Sequence, residues 1–383
     1  MRSPRRAFEA TLLLQRLAAS PDADIAAQSP AVLAGMSWEA IIANASAHLV
    51  LPALHPGLVR LAASAGHPTN DGVPSDAVEF LGTIRAANGA RNRLLCATLT
   101  RYAGALNGAG IVPVALKGAG FLLDPYDAHE AGPAAWRFLS DLDILVPQTQ
   151  AAQAHEIALQ LGFTPAAGDY QPVRDAHYPA LVSPCDRYAI ELHTRIFAEP
   201  MMPALESRII SDAEAITRDG ARLLRPRLSH RLAHLIGHAQ LHHRHWPARR
   251  VLLRNLLDVS MLSRQAGGDL AWHEVVGLFA AGEERRSAQA FLALWSAAMA
   301  ERADGVLIDG EDRAWAEAVI VRLGYPAAVR TGLIMAGLGQ AQLRQSWSNS
   351  ATLGRHFNML TRPREVARRL GKLVRRTRQM LWA

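Results

Sequence analysis

Residues 137–146 read Arg137-Phe138-Leu139-Ser140-Asp141-Leu142-Asp143-Ile144-Leu145-Val146, an Asp-x-Asp set into an apolar strand. Side chains alternate faces along a strand, so Asp141 and Asp143 point one way while Leu142 and Ile144 point into the sheet. Two carboxylates on one face repel each other unless a cation lies between them. Hard oxygen ligands at this spacing suit Mg²⁺, and Mg²⁺ on carboxylates usually accompanies substrate phosphates. An Asp-x-Asp also arises by chance in solvated loops, so it needs company. Residues 187–197 supply it by alternating with period two. Glu191, His193 and Arg195 fall on one face, and Ile190, Leu192 and Ile196 on the other. Alone this is a solvated edge strand; beside the first it offers the third carboxylate of a two-metal phosphoryl or nucleotidyl transfer site.

Upstream, Ile111-Val112-Pro113-Val114-Ala115-Leu116 reads as a buried strand running into Lys117-Gly118-Ala119-Gly120, with Phe121-Leu122-Leu123 opening a short helix. A strand that ends in a Gly-bearing turn before a helix leaves backbone N–H groups free to hold an anion. Lys117 adds a point charge suited to phosphate. It is conspicuous, because of 41 basic residues only Lys117 and Lys372 are Lys. In so Arg-rich a chain, a retained Lys suggests a place that a guanidinium does not fit, with codon bias as the plain alternative.

His230, His234, His238 and His242 recur every four residues, forming a stripe along one helix face that His243 and His245 extend. Zinc accepts imidazoles at i and i+4 but needs further ligands in a set geometry, and no His-Glu-x-x-His is present. Lining of a nucleotide cleft, a helix-packing seam and a metal site all remain open for this stripe. Arg250, Arg254 and Asp258 follow at i, i+4 and i+8, and an Arg254–Asp258 pair at that spacing stabilises a helix surface slightly.

In the order Leu116-Lys117-Gly118, then 137–146, then Ile190-Glu191-Leu192-His193, the chain resembles the uncharacterised bacterial nucleotidyltransferase family of the DNA polymerase β superfamily. The resemblance runs from about residue 80 to about residue 265. It implies a small mixed sheet with Mg²⁺ on the Asp-x-Asp and a third acid. Asp141 and Asp143 would then bind both metals and Glu191 would complete the catalytic one. Two departures stand out: the Gly-Ser turn of better-known members is Lys117-Gly118 here, and the third acid is Glu rather than Asp.

The elements that must position these residues follow from apolar spacing. From Phe8 to about Ala109 the period is helical, with breaks at Ser20-Pro21, Pro52 and 67–72, and a last helix from about Asp76 to Ala109. Residues 110–200 alternate strands and helices; within them a helix over 148–161 opens after Pro147 and closes at Gly162. The loop 124–136 is polar and Gly/Pro-bearing, as a cover over the site would be. From 201 onward almost everything reads as helix, with breaks at Gly267-Gly268, Asp309-Gly310 and 324–326. The expected class is α+β. It comprises N-terminal helices (1–109), a small mixed β-sheet nucleotidyltransferase core (110–200), a C-terminal helical domain (201–354) and a basic tail (355–383).

Composition agrees with a cytoplasmic enzyme. Half of the 383 residues are apolar, as in globular chains. Cys96 and Cys185 are far apart and outline neither a disulfide framework nor a zinc site. No signal peptide or membrane-spanning stretch is read. The net charge of +7 is concentrated in 355–378, where nine Lys or Arg face one Glu. Val366, Leu370, Leu373, Thr377 and Leu381 give that segment an apolar stripe, so it reads as a docked terminal helix or a contact with an anionic membrane surface. No aromatic residues are interleaved with its charges to stack on bases, so long nucleic acid is not expected as a partner.

The expected function is Mg²⁺-dependent nucleotidyl transfer from an NTP to a small-molecule, peptide or protein acceptor, with two Mg²⁺ ions on Asp141, Asp143 and Glu191. Lys117, Gly118, Ala119 and Ser140 would hold phosphates, with Arg137, His193, His234 and His238 as further nucleotide contacts. A decayed, nucleotide-binding regulatory protein and a metal phosphohydrolase built on His234, His238 and Asp258 are the rivals.

Overall fold

The computed structural model describes residues 4–19, 33, 36–64, 74–124, 135–166, 175–185, 188–198, 200–267 and 270–323. The breaks expected at Ser20-Pro21, 67–72 and 324–326, nearly all of the covering loop and the basic segment 355–383 lie outside the described residues.

A long helix leads into the site. After α1 (Pro4–Ala19), α2 (Trp38–Ala47) and α3 (Leu51–Ser64), α4 runs from Ser75 to Gly108. Its 34 residues span about 50 Å. Pro74 precedes it in an extended conformation, and Gly110 in the left-handed region turns the chain out, closed by Ile111 N–H to Leu106 O at 2.9 Å. The two ends of α4 serve different cores. Leu81 packs with α1, α3 and the C-terminal helices, while Leu95, Leu99, Tyr102 and Leu106 lie against the sheet.

The sheet has seven strands in the order β3-β4-β5-β2-β1-β7-β6. They are β1 (Val114–Ala115), β2 (Asp141–Leu145), β3 (Thr164–Pro165), β4 (Leu181–Val182), β5 (Ala189–His193), β6 (Glu214–Arg218) and β7 (Ala221–Arg225). β2 is central, parallel to β5 and antiparallel to β1. Leu142, Ile144, Ile190 and Leu192 point together into the core shared with α4, α5 (Lys117–Leu122) and α6 (Ala151–Gln160). A parallel register pairing Asp143 with Glu191 leaves both carboxylates on the opposite face.

Four expectations are corrected. Residues 201 onward are not all helical: after α7 (Pro203–Glu206), the β6–β7 hairpin joins the sheet, with β7 parallel to β1. β6 and β7 are five residues each, too short to show a period of their own, and pairing with the rest of the sheet decides them. Lys117-Gly118-Ala119-Gly120 is not a turn before a helix but the first turn of α5 itself. Strand β2 begins at Asp141, so Arg137 and Ser140 stand on the approach to it, and β5 ends at His193, so Arg195 lies beyond the strand.

The fourth correction concerns the His stripe. α8 (Leu228–Gly237) passes into a π-helical turn over His238–His242, fixed by His243 N–H to His238 O at 2.9 Å. The wider turn shifts the four-residue stripe in register after His238. α9 (His245–Ala248), α10 (Leu253–Gln265), α11 (Trp272–Gly277), α12 (Glu283–Met299) and α13 (Gly310–Leu323) complete the described chain. α10, α12 and α13 share one core with α1–α3, so these N-terminal and C-terminal helices pack together.

Candidate active site

The site lies on the polar face of β2 and β5. Asp143 is buried, and one of its oxygens, Oδ1, takes both Lys117 Nζ at 2.7 Å and His193 Nε2 at 3.0 Å. His193 Nε2 also lies 3.5 Å from Glu191 Oε2. Among the described residues, Asp143, Glu191 and His193 form the one His/Cys/Asp/Glu group whose ligand atoms all fall within 4.8 Å of one another. Asp141 is outside that group, two residues back along the same strand face, with Ser140 Oγ 3.1 Å from its Oδ2.

Electrostatics separates the two aspartates. Burial opposes ionisation of Asp143, but Lys117 and His193 outweigh it and hold its pKa far below the usual carboxylate range. Asp141 has no such partner: burial and the neighbouring Asp143 and Glu191 push it up to about 6. Glu191 is lowered because the His193 hydrogen bond, with Lys117 and the His193 charge, outweighs burial. Burial would lower His193 and Lys117, yet the surrounding carboxylates raise both. Three acids thus face two cations, and the deficit falls on Asp141.

Backbone geometry delivers Lys117 to this point. Leu116 N–H bonds Asp143 O at 3.0 Å, tying the end of β1 to β2. Lys117 then adopts φ +41°, a left-handed conformation unusual for a side-chain-bearing residue and costing on the order of 1 kcal/mol. Gly118 is required by its neighbours, since a Cβ there would meet Arg137 Nη1 at 2.6 Å and Leu139 Cδ2 at 2.9 Å.

Arg137 is fixed from three sides. Its Nε lies 3.0 Å from both Oδ1 and Oδ2 of Asp258, and its guanidinium stacks on Phe121 with 4.9 Å to the ring centre. Its carbonyl accepts from Asn88 Nδ2 at 3.0 Å and Asn92 Nδ2 at 2.9 Å. The expected Arg254–Asp258 helix pair is therefore replaced by Arg137–Asp258, and the set His234, His238 and Asp258 is not brought together as a metal site.

The histidines form a chain of rings. Successive ring-centre distances are 6.0 Å for His234–His238, 4.9 Å for His238–His242, 5.2 Å for His242–His243 and 6.0 Å for His243–His245. His230 stands apart, its Nε2 3.9 Å from Asp212. Burial, reinforced by the Lys117 charge, lowers His234 to about 3 and puts His238 well below its usual value, so both rings favour the neutral form. His234 is 2 % exposed, and its Nε2 has no hydrogen-bond partner among the described residues.

Sequence reasoning missed four contributors. His177 pairs with His193 across a β-bridge, with ring centres 5.0 Å apart. Asn88 and Asn92, at i and i+4 on α4, hold the chain leading into β2; that spacing was a legible signal. Arg91, one turn along, donates from Nε to Leu139 O at 3.2 Å and lies within electrostatic reach of Asp141.

No helix of the described residues is long and apolar enough to cross a membrane. No curated protein and no solved structure matches the chain. The family model described as uncharacterised nucleotidyltransferase matches residues 34–300, taking in α2 and α3 before the site and α12 after it. That match covers well over half of the chain and spans every residue of the acid cluster, and the chain belongs to the uncharacterised nucleotidyltransferase family.

Proposed function

We propose that this chain transfers a nucleoside monophosphate from an NTP to an acceptor hydroxyl of a small molecule, peptide or protein, in the cytoplasm, with Mg²⁺ at Asp141, Asp143 and Glu191. One observation carries the reading: Asp143 lies opposite Glu191 in the β2–β5 register, and Asp141 shares their face. The donor set suits a divalent cation, since the Asp143 and Glu191 carboxylates converge with His193 and Asp141 adds a carboxylate on the same strand face. What two bound Mg²⁺ ions supply in such a site is a lowered acceptor pKa and neutralisation of the leaving pyrophosphate.

The chain's own residues then take defined parts. His193 bridges Asp143 and Glu191 and fixes their separation. Lys117 is positioned to pass from Asp143 to a phosphate, with the Gly118 and Ala119 amides, Ser140 and Arg137 around it. His234 and His238, held neutral, can each donate one ring N–H to the nucleotide. A nucleotide-binding protein without turnover is the second reading, favoured by the Lys117–Asp143 contact that already neutralises the central carboxylate.

Incubation of the full chain with labelled NTPs, Mg²⁺ and cell extract tests the choice. A labelled product that is lost in Asp143→Asn and Glu191→Gln is expected. NTP binding with no metal-dependent product or pyrophosphate release from any NTP would give preference to the second reading.

A further inference from the structure

Arg254 is placed against every local preference. It is the second residue of α10, where a cation meets the positive end of the helix dipole. Its guanidinium is partly buried, its Nε is sealed from solvent, and no nitrogen of the group donates a hydrogen bond to a described residue. The carboxylate expected to answer it, Asp258, is held through both oxygens by Arg137. Burial first, then the nearby Arg137, disfavour its charge. A half-buried guanidinium whose Nε is cut off from water is incompletely solvated, and an anion at its open nitrogens would complete it.

Its surroundings say which ligand. Arg254 lies within electrostatic reach of Asp141 and Asp143, and also of His243 and His245. Two of the site's other cations are already paired, Lys117 with Asp143 and Arg137 with Asp258. We infer that Arg254 is an anion clamp for a condensed phosphate, the pyrophosphate moiety of the bound nucleotide, entering beside the acid cluster. The assignment to the nucleotide rests on the nucleotidyl-transfer reading; the anion site itself does not. A guanidinium suits this role because its planar fork grips two phosphate oxygens at once.

Calorimetry of the full chain with inorganic tripolyphosphate, without metal, tests it. Arg254→Met should weaken binding about ten- to a hundredfold, the scale of one charge-assisted contact. The same variant should melt at an unchanged or higher temperature, which a merely structural arginine would not allow. Arg254→Gln serves equally if the methionine variant fails to fold. The exposed Arg313→Gln is the control for general charge and should bind as wild type. Unchanged tripolyphosphate affinity in the folded Arg254 variants, or an equal loss in Arg313→Gln, overturns the clamp. Orthophosphate bound as tightly as tripolyphosphate, with the same Arg254 dependence, would instead overturn the condensed-phosphate assignment. Transfer activity enters none of these readouts, so failure of the clamp and failure of the transferase reading are distinguishable.

Discussion

Lys117 Nζ and His193 Nε2 converge on the same oxygen of Asp143, at 2.7 and 3.0 Å. That oxygen receives both cations of the acid cluster, and Asp141, two residues away on the same strand, receives neither. The two members of one Asp-x-Asp are therefore different groups chemically, and the difference is measurable before any substrate is known.

Asp143→Asn and Asp141→Asn should move stability in opposite directions. Removing the Asp143 charge leaves Lys117 buried without its partner, a loss of about 3–5 kcal/mol. Asp141 has a folded pKa raised to about 6, so its ionisation is penalised by folding. Its contribution is fully present below the unfolded value of 3.8 and is lost as pH rises through about 6. Asp141→Asn should thus stabilise the metal-free protein above pH 6, by on the order of 1–2 kcal/mol once partial exposure is discounted, and have little effect near pH 4. Urea melts from pH 4 to 8 measure both; a gain for Asp141→Asn at pH 4 equal to that at pH 8 would contradict the account.

Lys117 occupies charge-balancing space that a divalent cation would share. Lys117→Met should destabilise the metal-free fold, because Asp143 loses its nearest cation, and should tighten Mn²⁺ binding at the same time. Nucleotide affinity should fall by about 1.5–3 kcal/mol, with Lys117→Arg recovering only part of it. Mn²⁺ titration followed by electron paramagnetic resonance reads the metal arm directly. Weaker Mn²⁺ binding in Lys117→Met would show that the ammonium supports the metal site rather than competing with it.

The acid cluster was legible in the sequence because period two is a local property: Asp141 and Asp143, and Glu191 and His193, share faces wherever their strands lie. The length of α4 was equally legible, since the break at 67–72 and the Gly108 and Gly110 pair punctuate it. What joins these elements is not local. The Arg137–Asp258 pair spans 121 residues, and nothing in either segment announces the other. The β6–β7 hairpin was missed for the same reason, since β7 is held by pairing with β1, more than a hundred residues before it, and β6 by pairing with β7. At the His stripe, i+4 spacing suggested a straight helix, and a π turn redirected its second half.

His234 should make the fold acid-labile. Its folded pKa, lowered to about 3 by burial and then by Lys117, lies below the ordinary 6.5. The neutral ring's stability contribution is therefore complete above pH 6.5 and is lost progressively as pH falls toward 3. Between pH 7.5 and 5 this one group accounts for about 2 kcal/mol as an upper bound. His238 and His245, also well below their usual values, act in the same direction. His234→Gln should narrow the stability gap between those two pH values by about that amount in chemical denaturation. An unchanged gap would mean that the ring ionises freely in the folded protein.

Asn88 and Asn92 should matter more together than apart. Both side-chain amides donate to Arg137 O, at 3.0 and 2.9 Å, and Asn88 also reaches Ala135 O at 2.9 Å. Either alanine substitution leaves Arg137 O one donor, so Asn92→Ala should cost about 1 kcal/mol and Asn88→Ala, which also frees Ala135 O, about 2 kcal/mol. Asn88→Ala with Asn92→Ala strips both, leaving a buried carbonyl unsatisfied, and the loss should exceed the sum of the singles by about 1 kcal/mol or more. The freed segment carries the Arg137 guanidinium that packs over Gly118 and the start of β2, so NTP affinity should drop in the double variant and stay near wild type in the singles. A double-mutant cycle on folding, read beside nucleotide calorimetry, checks both parts. Additive stability losses with unchanged affinity would show that Asp258 and Phe121 alone hold Arg137 in place.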